Sequence, residues 1–188
     1  MAIKTFTTGE VLTAADTNTF LANSGLVYVS SGSFTNAASF DATGFTSTYA
    51  MFRLVLVVGR HTGSGASDIT ATVRDATSPY ATGYFGASFE ASYLATSAVV
   101  GARNNGVNFL CGAVNTAGGP NRVFLDVGGM NTTSSKFSIS GTFYNFSPAA
   151  VTMIGYENTG LSLNLDRIRF ACGVNMTGSW RLYGYREA

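Results

Sequence analysis

Two hydrophobic periods divide the chain. Residues 1–10 read as extended. Thr13 then makes a good helix N-cap, and Asp16 three residues later resembles a capping box with Asp in place of Glu. The pattern predicts a helix from about Ala14 to Ala22, stopped by Asn23, Ser24 and Gly25. A helix this short is marginal alone, so Val11, Leu12, Ala15, Phe20 and Leu21 need a surface to dock on. That surface is the chain's own β-domain, a sister subunit or another protein. From Leu26 onward the period is two.

Strands are predicted at Leu26–Ser30, Phe52–Val58, Asp68–Arg74, Ala81–Ser88, Val107–Val114, Arg122–Val127, Lys136–Tyr144, Val151–Tyr156, Asp166–Cys172 and Ser179–Arg186. In Lys136–Tyr144, Phe137, Ile139, Gly141 and Phe143 alternate with polar residues and Tyr144, the signature of a half-buried antiparallel strand. Phe52–Val58 is almost continuously apolar and predicts a central strand covered on both faces. Gly63-Ser64-Gly65, Asn104-Asn105-Gly106, Ala117-Gly118-Gly119-Pro120 and Gly128-Gly129 read as turns. Many short strands with regular turns predict an all-β fold, an antiparallel β-sandwich of two packed sheets in jelly-roll style. The expected organisation is an arm with one helix over residues 1–30 and a β-sandwich over 31–188, with no internal repeat.

Composition adds a reason to expect partners. The chain has 188 residues, of which 46% are hydrophobic and only 11% charged, against about 25% charged in typical globular domains. Such a surface must be Ser, Thr, Asn and Gly, or be buried against neighbours, so a homo-oligomer is expected. The alternative is a neutral, secreted-type β-domain that stays monomeric. Net charge is +1 with no block of like charge, which argues against nucleic acid as a partner. No apolar run resembles a signal peptide or approaches a membrane span of roughly 18 residues. The expectation is a product made in the cytoplasm, with no membrane insertion. The sequons at Asn131, Asn145 and Asn175 then read as chance in a Ser/Thr-rich chain.

Catalytic and metal chemistry find little support. His61 is the single histidine, and it reads as a solvated turn residue, without a nucleophile-elbow motif nearby. The carboxylates are scattered; Asp68 with Asp75, or Asp126 with Asp166, would face each other across a cleft only by an accident of folding. Cys111 and Cys172 with one histidine cannot form a four-ligand zinc site; they read as small buried hydrophobes, and whether they pair stays open. No calcium loop or phosphate-binding glycine motif occurs. No metal, cofactor or enzymatic activity is expected. Tyr80, Tyr84, Tyr93 and Tyr156 fall near strand ends or loops, where an exposed ring could stack on a sugar or anchor a protein contact. Arg167 and Arg169 share one face of their strand. Arg181, Tyr183 and Tyr185 share one face of the last strand, opposite Trp180 and Leu182. An Arg/Tyr face of this kind suits a subunit contact or a plain solvated surface.

The two ends carry a resemblance. Lys4-Thr5-Phe6, Gly9-Glu10-Val11-Leu12-Thr13-Ala14-Ala15-Asp16-Thr17-Asn18 and Phe20-Leu21-Ala22-Asn23 resemble the start of small structural proteins of tailed bacteriophages, those labelled minor tail proteins or tail fibres. The ending Trp180-Arg181-Leu182-Tyr183-Gly184-Tyr185-Arg186 resembles the last strand of the same group. The resemblance implies a virion component, often homotrimeric and without enzyme activity. Its N-terminal segment, with Val11, Leu12, Phe20 and Leu21, would fix it to other phage structural proteins. Three placements follow: a short tail fibre or tail-tip receptor-binding protein, a capsid decoration or head-fibre protein, or a carbohydrate-binding module of a tail structure. The N-terminal string and the loop tyrosines favour the tail and a host-surface glycan or protein as partner. Small size, the missing shaft and the charge-poor body favour the capsid.

Overall fold

The computed structural model describes residues 25–75, 84–92, 100–106, 108–116, 120–131, 137–145, 150–158 and 165–185. The expected helix, with Val11, Leu12, Phe20 and Leu21, lies outside the described residues, as do Tyr80 and Tyr93. Among those described there are ten strands: β1 (Leu26–Thr43), β2 (Met51–Arg60), β3 (Ser64–Arg74), β4 (Tyr84–Ser92), β5 (Val100–Gly106), β6 (Phe109–Thr116), β7 (Asn121–Gly128), β8 (Ser138–Asn145), β9 (Ala150–Asn158) and β10 (Arg167–Tyr185). All pair antiparallel in one sheet of order β5-β4-β9-β8-β7-β2-β10-β3-β6, with β1 along β10.

β10 organises the molecule. Its even-numbered side chains point inward throughout: Ile168, Phe170, Met176, Trp180 and Leu182 are buried, and Cys172 and Val174 pack on the core from partial cover. Met176–Gly184 pairs with β2, Arg167–Cys172 pairs with β3, and β1 follows the other edge from end to end. Residues 173–175 belong to neither the β2 nor the β3 ladder; one bond crosses there, from the His61 amide to the Asn175 carbonyl at 2.8 Å. β1 shifts register at the same level, around Asn36 with its φ of 55°. Bulges of this kind bend a strand and sharpen its twist. β10 therefore serves two layers, and β3–β6 folds over the sheet so that β6 packs across β2, β8, β9 and β4.

The expected sandwich of two separate sheets is corrected here: the strands form one continuous, nearly closed sheet. Three further differences have local causes. The strands expected at Asp166–Cys172 and Ser179–Arg186 are one strand, because Gly173 and Gly178 continue the extended chain instead of ending it. Asn104-Asn105-Gly106 is no turn; it pairs with Gly86, Phe85 and Tyr84 as part of β5. β1 runs past Ser30 to Thr43.

The core is aromatic. Phe34 and Phe40 stack at 3.8 Å, Phe40 and Phe170 at 5.1 Å, and Phe109 lies 5.3 Å from both Tyr84 and Tyr156. Three rings lie over glycines of the β1–β10 ladder, those of Trp180, Phe34 and, over Gly184, Tyr49. A Cβ on Gly32 would stand 2.7 Å from the Trp180 indole, and one on Gly178 would stand 2.8 Å from Phe34 Cζ. The flat ring supplies the contact that a strand glycine lacks. Cys111 is buried and Cys172 half-buried, and both are free thiols. Burial raises the Cys111 thiol well above its usual value.

Candidate functional site

β2 lies between β10 and β7. Phe52, Leu54, Leu56 and Val58 enter the core, but Val57 is 37% exposed and Val55 only half-buried. The expected cover on both faces is not met among the described residues: they cover one face of β2 and leave the other open.

Register shows what shares that open face. One row across the sheet runs Ser179, Val57, Arg122, Tyr144. The next runs Ser31, Arg181, Val55, Phe124, Thr142, and a third runs Tyr28, Tyr183, Arg53, Asp126, Ser140. Leu26 pairs with Tyr185 beyond them, and Met51 continues the outward side of β2. The large apolar residues exposed among those described are Leu26, Tyr28, Met51, Val57, Phe124 and Tyr144; every one is on this face. Five strands at about 4.8 Å spacing make it about 19 Å wide.

Its rings are arranged edge to face. Tyr28 meets Tyr183 at 6.1 Å and 75°, and Phe124 meets Tyr144 at 6.1 Å and 80°. The Tyr28 hydroxyl lies 2.9 Å from Ser31 Oγ. Arg53 donates Nε to Asp126 Oδ1 at 2.8 Å and Nη2 to Oδ2 at 2.7 Å, and the Tyr185 hydroxyl donates to Oδ1 at 2.8 Å. The Arg53 guanidinium also sits 5.6 Å from the centre of the Tyr185 ring. The Arg53 bonds pull the Asp126 carboxyl below its ordinary value against the opposing effect of burial, and the Tyr185 bond adds to the shift. Asp126 in turn raises Arg53. Burial first, and Asp126 second, raise the Tyr185 phenol.

A recess of about 270 Å³ opens at the Val57 end, lined by Val57, Gly59, Arg60, His61, Pro120 and Thr177. His61 is half-buried rather than a free turn residue: its Nδ1 lies 2.7 Å from Thr177 Oγ. Arg60 spans the β2–β3 turn, donating Nε to the Thr62 carbonyl and Nη1 to the Gly65 carbonyl, both at 2.7 Å.

Arg181, Tyr183 and Tyr185 stand together on the outer face. Arg167 and Arg169 lie on the same side of β10 but toward β3, with Arg167 donating Nε to Asp166 Oδ1 at 2.7 Å and Arg169 Nη2 reaching Ser39 Oγ at 2.8 Å. Tyr84 and Tyr156 are corrected from loop candidates to core; the Val73 amide donates to the Tyr84 hydroxyl at 2.8 Å. The carboxylate pairings do not form. Asp126 belongs to Arg53 and Asp166 to Arg167, while Asp68 lies inside β3 and Asp75 follows its last residue, seven positions on. No carboxylate among the described residues bonds to His61. No cluster of three or more metal-ligating side chains occurs among them, and no helix there is long and apolar enough to cross a membrane. Tyr144 stands on the outward side that the alternation of its strand predicts. Phe124 is the surface ring that the sequence reading does not single out; its signal is alternation, out of phase with the buried Val123 and Leu125.

No family model matches the chain, and no curated protein does. Among solved structures it is similar to the CBM2 module of the evolved Dit of Lactobacillus casei BL23 phage J-1, at 9% identity and a TM-score of 0.26 over 87% of this chain and 77% of that one. A superposition this loose does not establish a common fold.

Proposed function

We propose that this chain is a structural protein of a tailed-phage particle whose β-domain recognises carbohydrate on the host surface through the open face of β1, β10, β2, β7 and β8. The observation that carries the reading is the gathering of Leu26, Tyr28, Met51, Val57, Phe124 and Tyr144 on that one face. Large apolar side chains exposed singly are ordinary surface, whereas their gathering on one face points to an interaction site. Its chemistry suits sugars. Phe124, Tyr144, Tyr28 and Tyr183 offer apolar ring surface to the C–H faces of pyranose rings. Ser31, Ser140, Thr142 and Ser179 offer hydroxyls that both donate and accept.

The place on a particle rests on the resemblance of the two ends to phage tail proteins. In this reading the N-terminal arm anchors the protein through Val11, Leu12, Phe20 and Leu21, and the protein works as a trimer without catalysis. The test is calorimetric titration of the full chain with polysaccharide from the host envelope. Phe124→Ala with Tyr144→Ala is expected to weaken binding at least tenfold, about 1.4 kcal/mol. Unchanged affinity in that variant, or no binding to any envelope glycan, overturns the reading.

A further inference from the structure

We infer that the sugar polymer taken by this face is anionic, with its negative groups met by Arg122 and Arg181. The inference rests on the carbohydrate reading and adds the ligand's charge. On the three registered rows the described residues hold three arginines, Arg53, Arg122 and Arg181, against one carboxylate, Asp126. Asp126 is already spent: both its oxygens take Arg53 donors and one also takes the Tyr185 hydroxyl. That pair is neutral to a visitor. Arg122 and Arg181 are exposed, and among the described residues neither pairs with a carboxylate. The face therefore carries two uncompensated guanidiniums in a chain whose total charge is only +1.

Their placement limits what they can hold. Arg122 stands between Val57 and Tyr144 in one row, and Arg181 between Ser31 and Val55 in the next. They are two strands apart, about 10 Å, and one outward position apart along the strands, about 7 Å, so their Cα atoms are about 12 Å apart. Two negative groups on a repeating polymer engage both with neither side chain leaning across β2, and Val55, Val57 and Phe124 pack against the ring faces between them. Each guanidinium presents a planar fork suited to carboxylate or phosphate oxygens. The recess continues the same charge through Arg60, and no carboxylate lines it.

The test titrates the full chain with four polymers: a polyuronate, a polysaccharide whose sugars are joined through phosphodiesters, a neutral glucan of matched length and duplex DNA. At low salt the chain is expected to bind one or both anionic polymers at least tenfold more tightly than the glucan or the DNA. Whichever of the two it prefers tells carboxylate from phosphate as the group recognised. Arg122→Gln with Arg181→Gln is expected to remove at least tenfold of that affinity and flatten its dependence on salt, with the thermal midpoint unchanged because both side chains are exposed. Equal binding of the neutral glucan, with the arginine variant unaffected, overturns the anionic assignment and leaves carbohydrate recognition standing. DNA bound as tightly as the polysaccharides overturns the assignment to a glycan. Failure to bind any polymer overturns the recognition reading and this inference with it.

Discussion

Asp126 shows how one side chain sets the charge of a surface. Pattern reading placed it on a strand, but nothing in its neighbours along the chain pointed to Arg53, which lies 73 residues away, or to Tyr185. Such a pair exists only once β2, β7 and β10 are in register, so sequence alone could not show it. Its worth is modest, because the Arg53 and Asp126 side chains remain 39% and 31% exposed; solvent and salt hold it to no more than about 1 kcal/mol. Its sign is definite. The folded carboxyl titrates below the ordinary value of 3.8. The stabilisation is therefore complete above that value and is lost as pH falls through the lower, folded value. Urea unfolding of the wild type and Asp126→Asn is expected to show a gap that is constant from pH 7 to pH 5 and closes in stronger acid. A gap that persists undiminished at pH 2 would mean that the Arg53 bonds do not set the titration.

At the scale of elements, β10 was half legible. The alternation from Ile168 to Gly184 never loses phase across the nine even positions of the strand, and its apolar members are plain in the sequence. Gly173 and Gly178 suggested a break, since glycine punctuates turns more often than it fills central strands. What the sequence could not reveal is the cover above Gly178, where the ring of Phe34 arrives from β1. β5 was lost for a similar reason: Asn-Asn-Gly is a strong turn signal, and only pairing with β4 makes it a strand. The half-buried alternation of β8, by contrast, is legible in the sequence, because Phe137, Ile139 and Phe143 meet the core while Ser138, Ser140 and Tyr144 meet solvent. The partner switch in β10 has a measurable consequence. Residues 168–171 and 178–183 lie between two ladders, whereas 173–175 belong to neither the β2 nor the β3 ladder. Amide hydrogen exchange at 173–175 is expected to run at least tenfold faster than in the two flanking halves, through local opening. Uniform protection along β10 would show that the strand does not hinge there.

For the whole molecule, the question is which surface meets another copy. The scarcity of charge, 11% of the chain, leaves little charged cover for the surface, and symmetric closed assemblies are a usual way to bury such surface. The open face of β2 is apolar enough to serve as a subunit contact itself, and Arg181, Tyr183 and Tyr185 would then lie in that contact. Sugar binding and subunit contact cannot both occupy it. A trimer that leaves the face free must close through other surfaces, and the long outer edge of β1, which among the described residues has a strand on one side only, is one such surface. Solution mass separates the two arrangements. The wild type is expected at three times the 19.7 kDa of one chain, and Phe124→Ala with Tyr144→Ala is expected to keep that mass while losing glycan affinity. If those two changes instead release the 19.7 kDa monomer, the rings are holding subunits together and the face is not the one that meets the host.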